Sequence, residues 1–122
     1  MTINEAITKL KDLKPTQLGA DVLVEWISEL EMKIWHENIS WHDGAGTAPA
    51  APYDPVADLD TELLIPEPYC AVYLRWMEAR IDYYAGDIAK YSNSMTMYNV
   101  ALSEYTDWFN RHHMPNQTHV KI

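Results

Sequence analysis

His36-Glu37 opens the pattern H-E-x-x-H, in which two imidazoles one helical turn apart hold zinc and the glutamate serves as general base. The fifth position here is Ser40, so the second imidazole is missing and metalloprotease chemistry goes with it. A di-iron or di-manganese bundle needs Glu-x-x-His on two helices, and no glutamate of this chain has a histidine three residues later. Asp58, Asp60 and Glu62 alternate like the start of a calcium loop, but the sixth position, which must turn on glycine, is Leu63. His112, His113 and His119 are imidazoles near the chain's end, where a frayed tail fixes no coordination geometry. Cys70 has Glu67 close by, which raises a thiol's pKa and favours a buried structural thiol over a nucleophile. There is no glycine-rich phosphate cradle, no G-x-S-x-G elbow and no basic, aromatic strand pattern. The expectation is a protein that is not an enzyme and needs no metal and no cofactor.

The elements that carry these residues read as helices. Thr2 with Glu5 has the form of a capping box, Ile3, Ile7, Leu10 and Leu13 follow at helical spacing, and Pro15 ends the run. From about Ala20, with Asp21 in the first turn, Leu23, Trp26, Ile27, Leu30 and Ile34 form a second stripe. Val24, Met32, Trp35 and Ile39 fall outside it, so this helix is apolar on more than one side and either lies centrally or meets another subunit. The segment 43–66 has glycines, prolines and alanines followed by Asp54, Asp58, Asp60 and Glu62, and shows no periodicity. It reads as a long irregular arm whose first half is mobile and whose distal half is tied down by Leu63, Leu64 and Ile65. Pro66-Glu67-Pro68 then leads into a helix. Apolar and aromatic positions recur from Tyr69 to His112 in steps of three and four. Unbroken, that helix would be about 65 Å long, too long for a domain of this size, so a break at Gly86 or at Ser92 to Ser94 is expected. Residues 115–122 carry no pattern and should fray. The fold class is all-α: a single domain over 1–122, a small bundle of about four helices with the irregular loop between the second and third.

Nine Lys and Arg against 18 Asp and Glu give a net charge of -9, which disfavours binding to nucleic-acid phosphates and to anionic membranes. No run approaches the roughly 18 apolar residues of a bilayer span, and the polar start has no secretory h-region, so the chain is expected in the cytoplasm when made. Five Trp and eight Tyr stand against one Phe. Side chains with a large apolar body and a polar tip suit partly buried interfaces. Trp35, Ile39, Trp41, Tyr98 and Tyr105 are the candidate interface residues, whereas Trp26, on the main stripe, is expected in the core.

The stretch LKPTQLGADVLVEWISELEMKIWHE, then YDP, LDTELLIPEPY, ARIDYYAGDIAKYSNSM, YNVAL and NRHHMP resemble, in this order, a family of small helical phage and prophage proteins. These are the head-tail connector proteins, also called head completion or adaptor proteins. The resemblance runs from Leu13 to Pro115; the stretch from Asp43 to Pro52 matches no feature of that family. It implies a structural subunit that forms a homo-oligomeric ring below the portal protein and joins capsid to tail. The ring would extend a channel through which phage DNA passes without specific binding, and would dock a neck or tail completion protein. Localisation would be the virion's head-tail junction, with the host cytoplasm during assembly. The competing expectation is an acidic helical protein-binding regulatory module of a prophage or bacterium.

Overall fold

A computed structural model of the chain describes residues 1–42 and 44–113; the expectation of a frayed tail over 115–122 lies outside them. The described residues form four α-helices, α1 (Ile3–Leu13), α2 (Ala20–Glu37), α3 (Ala71–Tyr84) and α4 (Ile88–His112), with a short 3-10 turn at Ile39–Trp41 and no strand. The protein is a small all-α bundle with a long irregular connection between α2 and α3.

Local chemistry accounts for most boundaries. Thr2 Oγ1 accepts from the Glu5 amide while the Glu5 carboxylate accepts from the Thr2 amide, each at 3.2 Å, which satisfies two of the amides a helix start leaves open. Lys14 leaves the helical region ahead of Pro15, whose ring disfavours a helical residue before it. The third helix starts later than Pro66-Glu67-Pro68 suggests. Glu67 precedes a proline, and the segment instead makes single turns, Tyr69 N to Pro66 O and Val72 N to Tyr69 O, before α3 begins at Ala71.

The break in the long apolar register falls at Gly86, whose φ of 74° is a conformation that side-chain-bearing residues seldom adopt. Its amide closes onto Tyr83 O, and Asp87 then caps α4 through the Lys90 amide at 3.0 Å. Ser92 to Ser94 lie inside α4 without interruption. Asp82 meets Ser94, Trp76 meets Tyr98 and Tyr69 meets Trp108, so α3 and α4 run antiparallel as a helical hairpin.

α2 buries two faces. Leu23, Trp26, Ile27, Leu30 and Ile34 are buried, and so are Val24, Ser28, Glu31 and Trp35, which form a second face. The arm closes over that second face. Tyr53, Leu63 and Ile65 are buried in the same core, while Ile3 and Asn4 of α1 donate to Thr61 O and Leu59 O. The anchor at Tyr53 bounds the half of the arm expected to be mobile, and the stretch ahead of it carries only the half-buried Ala45, Pro49 and Ala51.

Candidate functional site

Where α2 meets the arm, one carboxylate collects three donors. Glu31 is fully buried and accepts from Tyr53 OH at 3.0 Å, from Tyr73 OH at 2.5 Å and from the Leu64 amide at 3.1 and 3.3 Å. Tyr73 OH in turn accepts from the Ile65 amide, and Ser28 Oγ accepts from the Tyr53 amide. Burial pushes the Glu31 carboxyl above its ordinary value, and the hydrogen bonds from Tyr73, Leu64 and Tyr53 offset part of that cost. A carboxyl sealed from solvent cannot reach a substrate, so this cluster is a latch that fixes the arm to α2 and α3.

A second polar clasp sits at the other end of the bundle. Asp82, buried near the end of α3, pairs with Lys14 and accepts from Ser94 Oγ at 2.5 Å, tying α1, α3 and α4 together. Burial alone would raise its pKa, but the Lys14 ammonium and the Ser94 hydroxyl outweigh it and hold the carboxyl below its usual range. Cys70, buried at the start of α3, lies 3.1 Å from Ile65 O with its thiol pushed up to about 11 by desolvation and by Glu67. It is not set up as a nucleophile.

The candidate interface residues divide on burial. Trp41 is 39% exposed, while Trp35, Ile39, Tyr98 and Tyr105 keep 8%, 7%, 3% and 1% of their surface. These four are therefore corrected to core positions of the folded subunit. The cause is the arm and the hairpin: Trp35 lies on the Ser28 and Glu31 face that the arm covers, and Tyr98 and Tyr105 point from α4 toward α2 and α3. Trp26 is buried, as its place on the main stripe implies.

Exposed apolar surface is found instead at the tip of the α3–α4 hairpin. Tyr83, Tyr84 and Ile88 are 61%, 66% and 79% exposed, and Met97 and Val100 are exposed further along α4. Behind Tyr83 and Tyr84 lies a groove of about 440 Å³ walled by Trp76, Arg80, Tyr91 and Lys33. Arg80 is stacked among Trp26, Trp76 and Tyr84 at 5.2, 5.4 and 5.9 Å, and Glu29 pairs with it at 3.3 Å. Lys33 lies 6.0 Å over the Trp76 ring. Tyr84 stacks flat on Trp26 at 5.7 Å, so the groove wall is held rigid by rings on two helices. The notch between α2 and α4 at Asn38 and Tyr98, about 160 Å³, is smaller than the roughly 300 Å³ that small-molecule sites usually occupy.

Sequence reasoning missed both the latch and the groove. The tyrosines of the groove appear in the sequence only as members of a continuous apolar register, and Gly86 is the one signal that the register ends there with its last members uncovered. Among the described residues no group of three or more His, Cys, Asp or Glu is placed to hold a metal ion. No described helix is long and apolar enough to cross a membrane. Comparison of the chain with protein-family models, with curated proteins and with solved structures gives no match.

Proposed function

We propose that this chain is a structural subunit of a tailed phage or prophage, a head-tail connector that joins a ring below the portal and provides a docking surface for the next neck or tail component. The observation that carries the proposal is the exposed aromatic tip of the α3–α4 hairpin, on a molecule whose own core is already closed. Large exposed aromatic surface rimmed by polar groups marks interaction sites, and Tyr, Trp and Arg together are the residue types that dominate binding energy at interfaces. The order of sequence stretches from Leu13 to Pro115 supplies the family. The net charge of -9 suits a channel element along which DNA slides without sticking. On this reading the chain is not an enzyme, and its partners are further copies of itself, the portal and a tail completion protein.

The test is co-expression with a portal protein from the same genome, followed by electron microscopy of the purified complex. A ring of added density below the portal is expected. Absence of any association overturns the reading, and stable binding to a cellular protein in place of the portal makes the chain a regulatory module instead.

A further inference from the structure

We propose that the subunits join head to tail, the turn Pro55-Val56-Ala57 of one copy seating in the aromatic groove of the next; this rests on the ring reading and names its subunit contact. The occupant is a second copy of this chain, and three observations point to it.

The first is shape. Val56 is 83% exposed, the most exposed large apolar side chain among the described residues, and its turn is stiff. Asp54 Oδ1 accepts from the Val56 and Ala57 amides at 2.8 Å each, Asp58 Oδ2 accepts from the Asp54 amide at 2.7 Å, and Asp58 N returns to Asp54 O. An apolar projection fixed in advance loses little freedom on docking. The groove behind Tyr83 and Tyr84 is lined by aromatic rings with Arg80 and Lys33 among them, and its rings are stacked on one another.

The second is charge. No Lys or Arg occurs between Lys33 and Arg75, so the whole arm is anionic, with Asp54, Asp58, Asp60 and Glu62 around the projection. The groove holds Arg80 and Lys33, with Lys90 on the next helix. Glu29 offsets Arg80 and Asp87 lies near Lys90, whereas Lys33 has no ion pair among the described residues and remains for an incoming carboxylate. On a chain of net charge -9 such a surface suits an acidic segment.

The third is direction. The arm is anchored on the Ser28 and Glu31 face of α2, and the groove is built against Trp26, Glu29 and Lys33. Residues two apart on a helix point about 200° from one another. The arm's anchor and the α2 edge of the groove therefore lie on different faces of that helix. The groove lining contains no residue of the turn, and two different patches that complement each other generate a ring or an open chain in place of a closed dimer.

Two variants split the contact: Val56→Asp removes the apolar projection, and Tyr84→Asp places a carboxylate on the groove wall. Both sites are solvent-exposed, and unchanged circular dichroism and melting are the control for folding. At high concentration native mass spectrometry of the wild type should show dimers, trimers and larger species, and each variant alone should lose self-association by about thirtyfold or more, the size of one hot spot. Mixing the two should restore a heterodimer and nothing larger, because only the intact groove of one and the intact turn of the other remain. Lys33→Glu should weaken the wild-type association, and Asp60→Lys in the mixing partner should recover it. A wild type that stays monomeric, association that survives both variants, or a mixture without the heterodimer overturns the contact. If portal co-assembly persists while these variants assemble normally, the ring reading stands and this contact falls; if the heterodimer forms but no portal is bound, the reverse holds.

Discussion

Glu31 and Asp82 are two buried carboxylates that push acid stability in opposite directions. The folded state holds Glu31 above 4.5, so its stabilising contribution is complete below that pH, where the folded and unfolded chains are both protonated, and is lost as pH rises through the folded value. Asp82 is held below 3.8, so its contribution is present above that pH and disappears as acid takes the solution through the folded value. Urea unfolding across pH should therefore show the Glu31→Gln variant losing less stability than wild type as pH rises above 4.5. Equal slopes would mean that Glu31 titrates alike in both states. Glu31→Ala is harsher: it strands Tyr53 OH, Tyr73 OH and the Leu64 amide, with an expected loss of about 3 kcal/mol. Trp35→Ala is likewise a core truncation, and thermal unfolding should show a cost of about 3 to 5 kcal/mol. A melting temperature unchanged by that substitution would return Trp35 to the surface.

At the level of elements, the helix starts and stops were legible wherever a single residue's chemistry dictates them. Thr2 with Glu5 and Pro15 each act through their immediate neighbours and set a boundary where local reasoning puts it, and Gly86 is one of the two break points that reasoning left open. Gly86→Ala adds a Cβ that meets no atom within 4 Å, so its cost is backbone strain alone, about 1 kcal/mol in chemical denaturation. The start of α3 and the fate of the arm were not legible, because they depend on partners far off in sequence. Tyr53 sits in a stretch of alanine and proline, and Glu31 is one of three glutamates within seven residues of α2; nothing in their spacing says that the two side chains meet. Of the candidate interface residues all but Trp41 are buried within the subunit, Trp35 because α2's second face is covered by the chain's own arm. Hydrogen exchange should accordingly be fast over 46–50, slow at the Tyr53 amide and slow from Leu63 to Ile65. Fast exchange at Tyr53 would show that the latch is open in solution.

For the whole molecule, charge and exposed surface decide behaviour together. A protein of net charge -9 offers few phosphate contacts and should give no gel-shift complex with duplex DNA at physiological salt and micromolar protein. Salt-sensitive binding at that concentration would contradict the charge argument. The latch on Glu31 also has a consequence for synthesis. The partners of Glu31 lie 22, 33 and 42 residues downstream, and the first turn of α1 is stitched to residues 59–62, whereas α3 and α4 pair across a short turn. As the nascent chain leaves the ribosome, α1 and α2 emerge first with one apolar face and one bare carboxylate uncovered, and they wait for the arm. Closing those long loops carries an entropic cost that the α3–α4 pairing does not. Maturation of the subunit is therefore ordered from its C-terminal half backward, with the N-terminal half incompletely covered until Tyr73 and the α3–α4 hairpin have been translated.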